Sequence, residues 1–311
     1  MLRTMNKIFI STTSFAKYDK EPIRILERKG LDVALNPHGR KLKKEELAHF
    51  LDNVIGLIAG TEDLTRDLLS SSRSLKVISR CGVGMDNIDL KAAGELGIKV
   101  FNTPDAPTLA VAELTAGLIF AALRRIVEAD SSIREGKWEK YIGTLLHGKK
   151  IGIIGLGRIG KKVCELLAPF GVEVLSCEPK PDKDFIAKYG IKNMALKDVL
   201  SNSDIVTLHL SHQAEQGCLI GREELGIMKG TAFLINTARG SLIDEEALID
   251  SLKNNKISGA AIDVYEKEPY NGPLKELKNV VLTSHMGSYA KEARIEMEKT
   301  AVENLIRGLS L

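Results

Sequence analysis

Short runs rich in Val, Ile and Leu alternate with helix-length amphipathic stretches along the whole of this sequence, and this alternation limits the fold more than any other feature. In the first hundred residues the runs are KIFIS (7–11), DVALN (32–36), GLIAG (56–60), KVISR (76–80) and KVFN (99–102). From 150 onward they are KIGIIG, VEVLSC (172–177), DIVTLHL (204–210), AFLINT (232–237), GAAIDV (259–264) and NVVLTSH (279–285). Continuous apolar runs of this length mark parallel strands, because helices cover both faces of such a sheet. Strand and helix in turn give an α/β protein built from doubly wound parallel sheets. At 311 residues the chain is long for one domain, so two such sheets are expected.

A helix predicted from about Thr108 to Glu135 lies between the two sets of strands and carries the chain from one domain to the other. The stretch SYAKEARIEMEKTAVENLIRGL after Gly287 reads as one amphipathic helix that packs back on the first domain. The Gly287-Ser288 step is then a second crossing between domains, with a hinge next to His285.

Charge excludes some functions. With 44 basic against 41 acidic residues the net charge is +3, which does not suit a protein working on nucleic acid or an anionic membrane surface. The N-terminal stretch has no apolar core of a signal peptide, and AVAELTAGLIFAALRRI is too short and carries Glu113, so it reads as a buried helix. Cysteines at 81, 164, 177 and 218 show no paired spacing; reduced thiols in a cytoplasmic protein are expected, with no metal site.

The strongest local motif is KKIGIIGLGRIGKKVCELLAPFGVEVLSCEPK. Gly155, Gly157 and Gly160 form G-x-G-x-x-G directly after a strand and at the start of a helix. The first glycine allows the tight turn, the second lets backbone approach a pyrophosphate, and the third lets helix and strand pack closely. The helix N-terminus offers N–H groups and its dipole to the diphosphate. Glu178 stands about twenty residues on, where a carboxylate accepts from the ribose hydroxyls and repels the extra phosphate of NADP. NAD is therefore expected, with Lys180 the one nearby cation working against that choice.

Further polar residues fall at predicted strand ends. Asn236-Thr237-Ala238-Arg239 follows AFLI, Asp263 closes GAAID with Glu268 soon after, and His285 closes VVLTS. In a parallel sheet these ends share one edge, where ligands bind. Arg, Glu and His together suit hydride transfer to a 2-keto acid. Arg239 holds the carboxylate and polarises the ketone, His285 gives a proton to the new alkoxide, and Glu268 fixes the ring and favours imidazolium.

The chain resembles the D-isomer-specific 2-hydroxyacid dehydrogenases from end to end, with a core like the phosphoglycerate dehydrogenase branch. The resemblance rests on SRCGVGMDNIDL (79–90), VFNTPDAPTLAVAEL (100–114), GKWEKYIGTLLHGKKIGIIGLGRIG (136–160), FLINTARGSLIDEEAL (233–248), AIDVYEKEP (261–269) and SHMGS (284–288). It implies a Rossmann NAD-binding domain over 103–286, inserted in a flavodoxin-like substrate domain of residues 1–102 plus 287–311, and a homodimer formed largely through the NAD domains. It also implies the catalytic residues Arg239, Glu268 and His285. The backbone of Val83 and Gly84 would receive the substrate carboxylate. Thr108 and Asp263 would lie near the nicotinamide end and Arg158 and Ile159 at the diphosphate. His209, Thr237, Ala238 and Gly287 would complete the cofactor contacts.

For the substrate, Arg80 matches a position that phosphoglycerate enzymes use for phosphate, whereas Gly60 stands where those enzymes place a second arginine. Arg40, Lys41, Lys43 and Lys44 are candidate replacements, with Arg40 the strongest. The leading expectation is 3-phosphoglycerate and its keto acid in serine biosynthesis. Hydroxypyruvate or glyoxylate reduction is the alternative, and a non-catalytic, corepressor-like NAD-binding protein a third reading. With the sequence stopping near residue 311, feedback through a C-terminal regulatory domain is not expected.

Overall fold

A computed structural model of the protein describes residues 6–210 and 217–311. Residues 1–5, on which the signal-peptide reading partly rests, lie outside the described residues. Among the described residues no helix is long and apolar enough to cross a membrane. The chain forms two compact units, one reaching to Pro107 and resuming over Ser288–Leu311, the other Thr108–Gly287.

The first unit has five parallel strands, β1 (Lys7–Ile10), β2 (Asp32–Leu35), β3 (Val54–Ala59), β4 (Val77–Arg80) and β5 (Lys99–Phe101), in the order β2-β1-β3-β4-β5. This is the flavodoxin-like order, with its switch point between β1 and β3. Alternate residues of β1 face opposite layers. Phe9 packs with Leu47, Leu57 and Ile78, while Ile8 and Ile10 pack with Leu26, Ile58 and the C-terminal helix Lys291–Leu309. That helix presents Met297, Ala301 and Leu305 at a spacing of four residues, one stripe turned to the sheet.

The second unit has seven parallel strands, β6 (Lys150–Ile154), β7 (Glu173–Cys177), β8 (Lys192–Asn193), β9 (Ile205–Leu208), β10 (Phe233–Asn236), β11 (Gly259–Ile262) and β12 (Val280–Leu282). Their order is β12-β11-β10-β9-β6-β7-β8. The chain builds outward from β6 through β7 to β8, then crosses to β9 and builds the other way. The crevice at that reversal, outside the ends of β6 and β9, is where a doubly wound sheet binds its ligand.

One strand is new and two expectations need correction. Strand β8 went unread because its two residues, Lys192 and Asn193, are polar and exposed. The helix expected over 108–135 is two helices, Thr108–Leu123 and Ile126–Arg134, broken where Arg125 takes φ 53°. There the Leu123 carbonyl accepts the Thr144 N–H at 2.8 Å, so the returning chain takes an acceptor that a continuous helix would use. Finally, β12 ends at Leu282, so His285 sits in the loop beyond the strand.

Leu305 is fully buried in the layer between helix Lys291–Leu309 and the first sheet. Leu305→Ala should therefore destabilise the protein by about 2–5 kcal/mol, read as a lower urea midpoint at unchanged slope.

Candidate active site

All seven strands of the second unit are parallel, so the residues following them gather along one edge. After β6 the chain turns at Gly155 with φ +92°, where a Cβ would lie 2.6 Å from the His209 carbonyl oxygen. A Cβ on Gly160 would meet the Gly155 oxygen at 2.2 Å, whereas one on Gly157 would meet nothing within 4 Å. The first and third glycines are thus filled against protein and the middle one faces open space, which is the cradle a pyrophosphate needs. Arg158 and Ile159 open helix Arg158–Leu167, whose N-cap, Gly157, has no side chain to take the free N–H groups. Glu178, just past β7, accepts the Leu156 N–H at 3.0 Å and the Lys180 N–H at 3.1 Å. The acid therefore stands beside the glycine turn, and these residues fit a dinucleotide.

His209 follows β9 and donates its N–H to the Ile154 oxygen at 2.8 Å, tying it to the strand that carries the glycine turn. Its Nε2 lies 3.0 Å from the Thr207 hydroxyl, and burial of the ring pushes its pKa down to about 3. An edge of the residue stays accessible, so the direction is what matters: the imidazole is neutral near pH 7.

Arg239, Glu268 and His285 are brought together by three loops. Asn236 closes the first: its Oδ1 accepts the Ala238 N–H at 3.0 Å and its Nδ2 donates to the Arg239 carbonyl at 2.8 Å. Arg239 Nη1 donates to the Ala238 carbonyl at 2.7 Å. Gly240 then lies against the second loop so closely that a Cβ would come 2.0 Å from the Tyr265 carbonyl carbon. The Tyr265 N–H donates to Glu268 Oε1 at 3.1 Å, and its hydroxyl reaches the Thr283 carbonyl at 2.9 Å.

The third loop is held by Asp263, which is fully buried. Its Oδ1 accepts the Thr283 hydroxyl at 2.6 Å and the Met286 N–H at 2.9 Å, and its Oδ2 accepts the Gly287 N–H at 3.0 Å. Its carbonyl accepts the His285 N–H at 2.8 Å, with His285 at φ +52°. In this frame His285 Nδ1 faces Glu268, 2.8 Å from Oε2 and 3.0 Å from Oε1. Nδ1 then carries the proton and Nε2 is left for exchange. Burial pushes the Glu268 pKa up, but the His285 hydrogen bond and charge, the Tyr265 N–H and the Arg239 charge outweigh it, so the carboxyl lies below its ordinary value. Both side chains are more than a third exposed, so the pair adds little to stability.

The remaining sequence-predicted residues distribute as follows. Thr108 begins helix Thr108–Leu123, and the Thr237 hydroxyl lies 2.9 Å from that of Thr115 on the same helix. Gly287 ends the second unit. Arg80, Val83 and Gly84 belong to the first unit. Arg80 Nη1 donates to the Cys81 carbonyl at 2.6 Å and occupies the place of a side chain at Gly82, 1.4 Å from where its Cβ would be. Asn102 holds the Val83 carbonyl at 2.7 Å, and the Val83 and Gly84 N–H groups meet no acceptor among the described residues.

Arg40, the strongest candidate for a replacement phosphate ligand, is not offered to one: it pairs with both oxygens of Glu46, at 2.8 and 2.6 Å. Lys41 lies 3.5 Å from Asp63 and Lys44 3.6 Å from Asp67. At Gly60 the nearest side chain is Glu62, buried, whose carboxylate accepts the Ser11 hydroxyl at 2.7 Å and the Gly60 N–H at 3.0 Å. Sequence reasoning gave no role to Gly240, Tyr265, Thr283, Glu62 or Asn193. Only Gly240, next to an arginine at a strand end, carried a local signal.

A glycine turn with open space over Gly157, and an Arg-Glu-His group on the same sheet edge, are the features a dinucleotide-dependent oxidoreductase requires. Residues 116–287 match the NAD binding domain of the D-isomer specific 2-hydroxyacid dehydrogenases. The chain is 41% identical over 282 residues to D-3-phosphoglycerate dehydrogenase of Methanocaldococcus jannaschii, covering 88% of this chain and 53% of that protein. It is 41% identical over 257 residues to glyoxylate reductase of Aeropyrum pernix, covering 79% and 77%. The crystal structure of the TT0316 protein from Thermus thermophilus superposes with a TM-score of 0.90 at 35% identity, covering 98% of this chain and 97% of that one. The chain thus belongs to the D-isomer specific 2-hydroxyacid dehydrogenase family, and its cofactor is NAD. It spans about half the length of the M. jannaschii relative.

The neutral His209 sets a pH dependence. Its pKa is about 3 folded against 6.5 unfolded, so the unfolded chain binds the extra proton between those values. Stability should therefore fall as pH drops from 6.5 toward 3, and His209→Gln should show a shallower fall in urea midpoint over that window.

Proposed function

We propose that the protein catalyses reversible, NAD-dependent hydride transfer between nicotinamide and a short 2-keto acid of the glyoxylate and hydroxypyruvate class. The observation that carries this is the His285–Glu268 contact at 2.8 Å, with the Arg239 charge acting on the same carboxylate, on the sheet edge that also carries the glycine turn. Bound nicotinamide supplies or accepts the hydride at the substrate's C2. Arg239 makes a forked pair with the substrate carboxylate and draws electron density from the ketone. His285 Nε2 donates a proton to the developing C2 alkoxide, and Glu268 holds the ring by Nδ1 and balances the imidazolium charge. In the oxidative direction the same nitrogen takes the hydroxyl proton. The N–H groups of Val83 and Gly84, which meet no acceptor among the described residues, suit an anion, while Gly155, Gly157, Arg158, Ile159 and Gly160 cradle the diphosphate and Glu178 takes the ribose.

A small, unphosphorylated substrate is favoured by the first unit's charges. Gly60 supplies no cation, the Glu62 carboxylate lies beside it, and Arg40, Lys41 and Lys44 are each paired with an acid. A phosphate would bring about two negative charges into those surroundings. The second reading is 3-phosphoglycerate oxidation in serine biosynthesis, supported by Arg80 beside the Val83-Gly84 turn and by the likeness to the M. jannaschii enzyme. We also infer a cytoplasmic homodimer. Trp138 and Ile142 are 84% and 92% exposed within a segment that also exposes Ile126, Val127 and Leu145, an apolar surface suited to a second copy.

Purified protein with NADH should reduce glyoxylate or hydroxypyruvate with kcat/KM at least about tenfold above that for 3-phosphohydroxypyruvate. His285→Ala should lower kcat about 100-fold or more while NADH affinity stays. Preference for the phosphorylated acid, abolished by Arg80→Ala, would establish the second reading. NADH binding without turnover of any keto acid would point to the non-catalytic one.

A further inference from the structure

Strand β8 is only Lys192–Asn193, exposed, and paired with Leu175–Ser176 of β7 at the outer edge of the sheet. Both of its residues are exposed, so core packing does not account for it. The Asn193 side chain supplies a reason. Its Oδ1 accepts the Ser176 hydroxyl at 2.9 Å and the Glu178 N–H at 3.0 Å, and its Nδ2 donates to the Glu178 carbonyl at 3.0 Å. The amide thereby continues the ladder past the end of β8, gripping both backbone groups of Glu178 as a neighbouring strand would.

Glu178 is held at its other end too. One carboxylate oxygen accepts the N–H of Leu156, between the first two fingerprint glycines, and the other accepts the N–H of Lys180. Each oxygen keeps a second lone pair for a ribose hydroxyl. An acid fixed at both ends cannot swing away to admit a 2′-phosphate, and at close range the two anions repel. Of the cations nearby, Lys161 is bound to Asp182 at 2.6 Å, whereas Lys180 is exposed with no ion pair among the described residues. If Glu178 moved, Lys180 would remain to receive a phosphate.

We propose that Asn193 is a positioning residue for cofactor choice: its grip on the Glu178 backbone keeps that carboxylate at the adenosine ribose and so sets the preference for NAD over NADP. The proposal rests on the reading of Glu178 as the ribose acid. It gives the two-residue strand β8 a purpose, to deliver one amide to the end of β7.

Calorimetric titration of the 311-residue protein with NADH, NADPH and reduced nicotinamide mononucleotide, which lacks the adenosine half, tests it. Asn193→Ala should lower the NADH-to-NADPH affinity ratio about tenfold or more, a change of about 1.4 kcal/mol per tenfold, and leave mononucleotide affinity unchanged. Asn193→Leu, close in volume and without the three hydrogen bonds, should do the same if the alanine variant does not fold. Ser176→Ala, which removes one of those bonds, should shift the ratio less in the same direction. An unchanged ratio in the Asn193 variants overturns the proposal, as does equal weakening of all three ligands, the signature of a merely structural role. Glu178→Gln separates the two levels. If it leaves the ratio unchanged, the ribose reading has failed; if it collapses the ratio while the Asn193 variants do not, only the role of Asn193 has failed.

Discussion

The candidate site depends on one buried carboxylate. Asp263 is fully removed from solvent, a position that is costly for an anion unless its lone pairs are filled. Thr283, Met286 and Gly287 fill them, and all three lie in the loop that carries His285. The same loop holds His285 at φ +52°, which a side-chain-bearing residue adopts at a cost of about 1–2 kcal/mol. The hydrogen bonds to Asp263 offset that cost, and the result is direction: Nδ1 meets Glu268 and Nε2 is left outward. Arg239 comes into the same frame because its neighbour Gly240 can touch the Tyr265 backbone, from which the Glu268 loop continues.

Placement of charge follows a different rule in each unit. In the second unit, charge is placed by backbone: glycines open a path to helix N–H groups, and Glu178 is held by amide hydrogen bonds at both ends. In the first unit, three of the cations that sequence alone offers to a phosphate, Arg40, Lys41 and Lys44, are paired with Glu46, Asp63 and Asp67, and Glu62 takes the donors at the switch point between β1 and β3.

Features with a local cause were legible in the sequence. Strands buried on both faces must be apolar, so the runs at KIFIS and AFLINT announced β1 and β10. The glycine turn was legible because three glycines at fixed spacing have one geometric use. Features made by partners distant in sequence were not. Nothing near Arg125 signals that Thr144 will take the Leu123 carbonyl and break the helix. Nothing in the pair Lys192-Asn193 signals a strand, because its partners are the Glu178 backbone and the Ser176 hydroxyl. Arg40 read as available because the bidentate pull of Glu46 depends on the turn into helix Lys44–Phe50. His285 was found by its place at a strand end, but the Asp263 clamp that aims it is a matter of folding.

The central claim is that His285 and Glu268 act as one proton-transferring unit. A double-mutant cycle on kcat/KM for hydroxypyruvate, with His285→Gln, Glu268→Gln and the two combined, tests it most directly. If the pair is a unit, the double variant should be about as slow as His285→Gln alone, because Glu268 has no role without the ring. If the two losses multiply, the residues act independently and the account of the site is wrong.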